Sequence, residues 1–206
     1  MQDSRCRIKR CSWANGDPLY EAYHDREWGV PQHDDIKLFE MMVLDAFQAG
    51  LSWLIILKKR EAFRKAFEDF APHKIETFDE ARVQGLLQDK GIVRNEKKIR
   101  ATINNARAFL RVRAEYGTFD RYIWQFTSHR TIVNRYRNTK QIPNTTPESD
   151  AMSANLRARG FAFVGSTICY SFMQAAGMVN DHVWECPRYR EICRLAGKKT
   201  SRAPGR

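Results

Sequence analysis

The chain has 206 residues, which is enough for one or two domains with a buried core. Hydrophobic residues make up 43% of it and charged residues 29%, a balance typical of a soluble globular protein. The formal net charge of +11 favours an anionic partner. We expect nucleic acid rather than a membrane, because no segment resembles a lipid anchor or a basic amphipathic surface helix.

The cellular setting is predicted from the cysteines and the apolar segments. The first ten residues lack an apolar stretch, so we expect no signal peptide. The longest nearly uncharged run, residues 41–57, contains Asp45, Gln48 and Gly50, which argues against a membrane span. Five cysteines, an odd number, indicate free thiols or metal ligands in a reducing compartment rather than disulfides. We expect a cytoplasmic protein that is a monomer.

Apolar residues at helical spacing dominate the chain, and β alternation is nearly absent. In chain order, the spacing predicts helices over residues 35–50, 54–70, 79–90, 95–117, 119–126, 149–160 and 166–177. Asp34 or Asp35 is available as the first N-cap, and Gly50 as the stop of that helix. A polar segment over residues 128–149 is the one long connection. Together these elements predict an all-α protein.

The last two predicted helices are joined by a tight turn bounded by Gly160 and Gly165, and Ser166 or Thr167 can cap the second helix. Glycines let the backbone approach a phosphate, and free N–H groups at a helix start favour an anion. These features are typical of a helix-hairpin-helix, which grips the DNA backbone without reading its sequence. The alternative is an ordinary αα-hairpin whose apolar turn residues are simply core.

Two cysteines and two histidines have the spacing of a metal site. His182 and Cys186 are four residues apart, so they can share one helical face, and the N-terminal segment supplies Cys11 and His24. Four such ligands would form a closed, tetrahedral, structural zinc site that joins the two ends of the chain. The alternative is that each residue is merely packed or exposed. Rival ligands are Cys6, Cys193 and His33.

Asp45 is the only charged residue among residues 41–57. On a helix its neighbours are Met41, Met42 and Ala49, so the helix is expected to be buried. Burial would raise the pKa of the Asp45 carboxyl group unless partners satisfy it. An isolated carboxylate in apolar surroundings indicates either a functional group or one held by structural N–H donors.

Several long motifs together resemble the 3-methyladenine DNA glycosylase I family. They are "CSWANGDPLYEAYHDREWGVP", "FQAGLSW", "KKRE" and "RGFAFVGSTICYSFMQAAGMVNDHV". The resemblance runs from Cys11 to about Tyr189. It implies a glycosylase domain over residues 11–189 and leaves residues 1–10 as an N-terminal extension. Residues 190–206 also fall outside the resemblance, and their basic charge with Gly and Pro predicts a flexible tail.

The family implies a helix-hairpin-helix enzyme that removes 3-methyladenine from double-stranded alkylated DNA. Its zinc ligands correspond to Cys11, His24, His182 and Cys186. Its base pocket corresponds to Trp13, Tyr23, Trp53 and the carboxylate at Asp45, where the family typically has Glu. Gly50 and Leu51 correspond to the loop that probes the duplex, and Gly160, Gly165, Ser166 and Thr167 to the DNA-binding hairpin. The shorter Asp45 must lie closer to the base or use a water, which leaves lesion selectivity open.

Two differences from related hairpin enzymes predict a monofunctional glycosylase. The hairpin carries no lysine for a Schiff base, and Asn180 stands where relatives have a catalytic aspartate. Asp181, one residue later, is expected to point elsewhere. Two alternatives remain, a non-catalytic binder of alkylated DNA with the same fold and a zinc-stabilised basic DNA-binding module without a base pocket.

Overall fold

Helices occupy most of residues 9–197, the part of the chain that the computed structural model describes. The α-helices in this range are α1 (Pro18–Arg26), α2 (Asp35–Gln48), α3 (Trp53–Ala66), α4 (Pro72–Ile75), α5 (Glu80–Gln88), α6 (Glu96–Tyr116), α7 (Phe119–Trp124), α8 (Pro147–Ala158), α9 (Ser166–Ala175) and α10 (Pro187–Leu195). Two-residue strands β1 (Ile132–Val133) and β2 (Val179–Asn180) pair in parallel. The predicted all-α class is confirmed apart from this small addition. None of these helices is long and apolar enough to cross a membrane.

Helix α2 lies at the centre of the core and packs against α3, α6, α7 and α9. Asp34 caps its start, because the Asp34 carboxylate accepts a hydrogen bond from the Lys37 amide at 2.9 Å. Its end is held by Lys98 of α6, whose buried ammonium donates to the carbonyls of Phe47 and Ala49 at 2.9 and 2.7 Å. Because α2 is surrounded, the carboxylate of Asp45 lies in the interior.

The turn between α8 and α9, residues 159–165, is fixed by side chains of neighbouring helices. The Asn105 amide accepts from the backbone N–H of Ala162 at 2.8 Å and donates to its carbonyl at 2.9 Å. Ser153 donates to the carbonyl of Val164 at 2.7 Å. The prediction that Ser166 or Thr167 caps α9 is wrong. Gly165 is the N-cap, and no side chain caps this helix. The first N–H groups of α9 therefore lack an internal acceptor.

A close backbone approach joins the N-terminal segment to the end of α9. Gly177 has φ +69°, and a Cβ atom there would lie 2.4 Å from the backbone of Val30 and Pro31, so only glycine fits. Hydrogen bonds from the Gly29 and Gln32 amides to carbonyls of α9 and Ala176 continue this contact. It places α1 beside α9.

The predicted flexible tail begins too early. Residues 190–195 continue α10, and Ile192 and Cys193 on this helix are buried. Burial of this apolar face explains why the basic sequence stays helical. The rest of that tail, residues 198–206, and residues 1–8 of the expected extension lie outside the described residues.

Candidate active site and metal centre

A cavity of about 350 Å³ lies between α1, α2, α3 and α9, beside the segment 139–144. Its lining residues are Trp13, Tyr20, Tyr23, Trp28, Asp45, Gln48, Trp53, Thr139, Ile142, Pro143, Asn144, Thr167, Tyr170, Ser171, Gln174 and Ala175. All four residues predicted for the base pocket are among them. The fold therefore brings together side chains that the sequence separates by up to 40 residues, and the cavity is large enough for a planar base.

Aromatic rings form one side of the cavity. Tyr23 and Trp53 lie 5.5 Å apart between ring centroids, and Tyr23 lies 6.5 Å from Trp13. Trp28 and Tyr20, which the sequence did not single out, contact Trp13 edge to face at 4.9 and 5.4 Å. These electron-rich faces can stack on a flat ring and attract a cationic one.

Asp45 is a buried carboxylate with an unpartnered oxygen atom. The side chain lies in the cavity wall with 4% of its surface exposed, and its Oδ2 atom has no hydrogen-bond partner among the described residues. Burial raises the pKa of Asp45 well above its ordinary value. Trp53 Nε1 is likewise buried and unpartnered. The sequence left open whether structural N–H donors hold this carboxylate. Within residues 9–197 none reaches Oδ2, so this oxygen is free to meet a ligand.

The α9 side of the cavity is polar and was not predicted. Tyr170 and Gln174 line it, and both donate hydrogen bonds to Asp181, at 2.6 and 2.8 Å. Asp181 does point away from the cavity, since it is 1% exposed and lies behind these two side chains. Asn180, where relatives have a catalytic aspartate, donates to the carbonyl of Tyr189 and is also buried away from the cavity. The only sequence signal was the four-residue spacing of Tyr170 and Gln174 on an otherwise apolar helix.

The residues predicted to contact DNA lie at two turns. Gly50 has φ +81° with open space around it, and the side chain of Leu51 beside it is exposed. In the α8–α9 turn Gly160 has φ +87°, whereas Gly165 has an ordinary φ of −64°. Thr167, on the first turn of α9, also lines the cavity, so this turn and the cavity adjoin.

Cys11, His24, His182 and Cys186 converge into one buried cluster. Their ligand atoms all lie within 4.8 Å of one another. The Cys186 sulfur is 3.6 Å from both His24 Nε2 and His182 Nδ1, and the Cys11 sulfur is 3.7 Å from His182 Nδ1. A tetrahedral zinc ion with ordinary Zn–S and Zn–N bonds places sulfur and nitrogen roughly 3.6 Å apart. The donor set and its spacing fit zinc.

The remaining imidazole nitrogens are fixed by other groups. His24 Nδ1 lies 2.8 Å from the carboxylate of Asp25, which Arg10 also binds, and His182 Nε2 lies 3.0 Å from the carbonyl of Trp28. Such contacts leave His24 Nε2 and His182 Nδ1 as the ligand atoms, as in many histidine–metal sites. Burial lowers the pKa of His182, which favours the neutral form that can bind a metal. Hydrogen bonds from Cys11 and the imidazoles lower the pKa of Cys186.

The predicted placement of His182 and Cys186 on one helical face is wrong. Residues 181–186 form a turn between β2 and α10, and Cys186 is the N-cap of α10. Two rival ligands lie elsewhere, because Cys193 contacts Asn180 and His33 pairs with Asp120. Cys6 lies outside the described residues.

Comparisons with known proteins agree on one family. The family model described as methyladenine glycosylase matches residues 13–189. The chain is 50% identical over 182 residues to DNA-3-methyladenine glycosylase 1 of Escherichia coli (strain K12), covering 88% of this chain and 97% of that protein. A crystal structure of 3-methyladenine DNA glycosylase I superposes with a TM-score of 0.85 at 49% identity, covering 87% and 98%. The Staphylococcus aureus enzyme, solved for the structural basis of 3-methyladenine recognition, gives a TM-score of 0.84 at 33% identity, covering 87% and 96%.

Proposed function

The chain belongs to the methyladenine glycosylase family, and we propose that it is a monofunctional DNA glycosylase that removes 3-methyladenine from alkylated double-stranded DNA. The observation that carries this proposal is the free carboxylate of Asp45 in an aromatic cavity. A flipped-out base is read by stacking and by hydrogen bonds to its edge, and this cavity offers both.

Recognition depends on charge. 3-Methyladenine in DNA is a cation with a weakened glycosidic bond, whereas normal adenine is neutral. The rings of Trp13, Tyr23 and Trp53 attract a cationic ring by roughly 0.5–2 kcal/mol per contact. The Asp45 carboxylate accepts a hydrogen bond from the exocyclic amine and complements the positive charge. The cavity therefore selects the damaged base without needing strong acid catalysis.

Hydrolysis needs only water. The bond between the sugar carbon C1′ and the base nitrogen breaks, and the bonding electrons leave with the base, which becomes neutral. A water oxygen bonds to C1′ and releases its proton to solvent, which leaves an abasic site. Residues 159–167 contain no lysine, so no Schiff base forms there and the strand is not nicked.

The two turns supply the DNA contacts in this proposal. The α8–α9 turn acts as a helix-hairpin-helix, since the uncapped N–H groups of α9 and the flexible Gly160 suit a backbone phosphate. Leu51, exposed beside Gly50, fills the space that the flipped base leaves. The net charge of +11 adds a sequence-independent attraction. The protein acts as a cytoplasmic monomer built on one catalytic domain, residues 11–189.

Cys11, His24, His182 and Cys186 would hold one zinc ion. Four protein ligands leave no open position for water, so the ion is structural and supplies no chemistry to the reaction. It joins the N-terminal segment, which carries Trp13 and Tyr23, to the segment before α10.

A non-catalytic binder of alkylated DNA is the second candidate, favoured only by the shorter carboxylate at Asp45. The zinc-stabilised module without a base pocket is poorly supported, because the cavity exists. The deciding experiment measures free 3-methyladenine released from methylated duplex DNA, with borohydride present in a parallel reaction. We expect stoichiometric base release, an alkali-labile site and no trapped covalent adduct. Tight binding without release would favour the binder, and a trapped adduct would contradict the monofunctional assignment.

A further inference from the structure

Asp181 fixes the polar wall that α9 presents to the cavity. Its Oδ2 atom accepts hydrogen bonds from Tyr170 Oη at 2.6 Å and Gln174 Nε2 at 2.8 Å. Its Oδ1 atom accepts from Asn134 Nδ2 at 2.7 Å. Because three donors hold this buried carboxylate from two directions, its position is set by the fold.

The orientation of the Gln174 amide follows from this contact. A carboxylate offers acceptors only, so the amide nitrogen of Gln174 must face Asp181 and its Oε1 atom must face away. Gln174 lines the cavity, and the hydrogen bond that holds its side chain to Asp181 runs through Nε2. Gln174 therefore presents a hydrogen-bond acceptor to a bound base. Asp45, in the same cavity, presents a second acceptor, its unpartnered Oδ2 atom.

We propose that Gln174 is a specificity-determining residue that favours 3-methyladenine over 3-methylguanine, and that Asp181 is its positioning residue. This inference rests on the proposed function. An adenine amino group carries two N–H donors, one for Asp45 and one for Gln174. A guanine presents the acceptor O6 at the same place, so its lone pairs would face two acceptors. Trp53 Nε1 can donate to a ring nitrogen that both purines have, so it does not discriminate.

The test compares the release of the two bases. Duplex DNA treated with a methylating agent contains both 3-methylpurines, and single-turnover release of each is measured on the same substrate. Gln174→Leu removes the acceptor and keeps the approximate size. We expect release of 3-methyladenine to fall about threefold to tenfold, the effect of one hydrogen bond, while release of 3-methylguanine is unchanged or rises.

Two further variants separate recognition from stability. Asp181→Ala frees the Gln174 amide to turn its nitrogen toward the cavity, so the ratio of the two rates should shift in the same direction as in Gln174→Leu. Asn134→Ala removes a different donor to the same carboxylate but keeps the contact between Gln174 and Asp181, so it should leave the ratio unchanged. Melting temperature and zinc content are measured for each variant.

The outcomes are distinct. An equal fall of both rates in Gln174→Leu, or an unchanged ratio, would overturn the inference and assign Gln174 a structural role. If the unaltered protein releases no 3-methyladenine, the proposed function itself fails and the ratio is not defined. A shift of the ratio in Gln174→Leu supports the inference even if Asp181→Ala fails to fold.

Discussion

At the scale of single residues, Asp45 is proposed to recognise the base, at a cost to the stability of the fold. Asp45→Asn keeps the size of the side chain and removes its charge. We expect the single-turnover rate of 3-methyladenine release to fall roughly ten- to more than a hundredfold, because one charge-assisted hydrogen bond is worth about 1.5–3 kcal/mol. Asp45→Glu, the matched control, keeps the charge and should retain activity. A stable Asn variant with unchanged release would remove Asp45 from the active site.

The pH dependence of stability tests the same carboxylate independently. Burial raises the folded-state pKa of Asp45, so ionisation destabilises the folded protein once the pH exceeds the unfolded value of about 3.9. Asp45→Asn should therefore melt at a higher temperature than the unaltered protein at neutral pH. This advantage should shrink as the pH falls and disappear below about pH 4. Melting curves over a pH series check this, and equal Tm values at every pH would contradict a raised pKa.

As the pH falls, protonation of Asp45 should stabilise the fold but lower the activity. In the proposed function the ionised form of Asp45 complements the cationic base, so excision should fall as the pH drops through the raised pKa of Asp45. The residual activity of Asp45→Asn should lack this acidic limb. Single-turnover rates from pH 5 to 8 on one substrate provide the comparison, and a shared acidic limb in both proteins would assign it to another group.

The residues of the cavity differed in how far the sequence could predict them. Asp45 was detectable because a lone charge in an apolar helix is conspicuous. Trp13, Tyr23 and Trp53 came from the family resemblance, because nothing in their spacing says that they share a wall. Gln174 and Asp181 were missed or set aside, since their contact depends on how β2 turns behind α9, a tertiary feature without a local signal.

At the scale of elements, the α8–α9 turn is predicted to bind phosphate through backbone N–H groups. Gly165→Asp suits a test because the φ of −64° is ordinary and an added Cβ atom meets only the end of the Arg157 side chain at 3.4 Å. Aspartate is also a good N-cap, so α9 should not be weakened. Its negative charge should repel a nearby phosphate and reduce affinity for every duplex about tenfold or more at low salt.

Gly165→Asn is the matched control for that prediction, because it adds a similar cap without a charge. Titrations of undamaged duplexes of several sequences, at two salt concentrations, measure the effect. We expect the Asn variant to bind nearly as tightly as the unaltered protein. A loss confined to one base sequence, or an equal loss in both variants, would contradict phosphate binding at this turn.

Helix positions were predictable because apolar spacing reflects which face is buried, and α2, α5, α6, α8 and α9 lie within a few residues of the predicted ranges. Their ends were less predictable. Helix α3 ends at Ala66, four residues before its predicted end, because Glu68, Asp69 and Phe70 adopt positive φ values and bury Phe70 in the core. The spacing of His182 and Cys186 could not predict that they lie in a turn, because a separation of four residues suits either a helix or a turn around a metal.

At the scale of the whole molecule, a cluster joins the two ends of the described chain, and its members are Cys11, His24, His182 and Cys186. Residues 11–28 contribute Trp13, Tyr23 and Trp28 to the cavity, yet the helices of this segment are short, one 3-10 turn over Ser12–Ala14 and the nine-residue α1. A bound ion would restrain both ends of the described chain at once. The aromatic wall of the cavity would therefore depend on the metal through the position of this segment rather than through any chemistry of the ion.

Zinc should therefore be present and should stabilise the whole fold. Freshly purified, unchelated protein is expected to contain about one zinc per chain. A ligand present at a thousand times its dissociation constant stabilises a protein by about 4 kcal/mol, so removing the ion should lower the Tm by roughly 10 °C. Cys11→Ala should lose zinc and show the same fall in Tm.

Cys193→Ala is the matched control, because Cys193 is a buried cysteine outside the cluster and its replacement should leave the zinc content at about one per chain. Metal analysis and melting curves on the three proteins decide the matter. Zinc-free protein with an unchanged Tm after chelation would show that the cluster is a packed group of thiols and imidazoles.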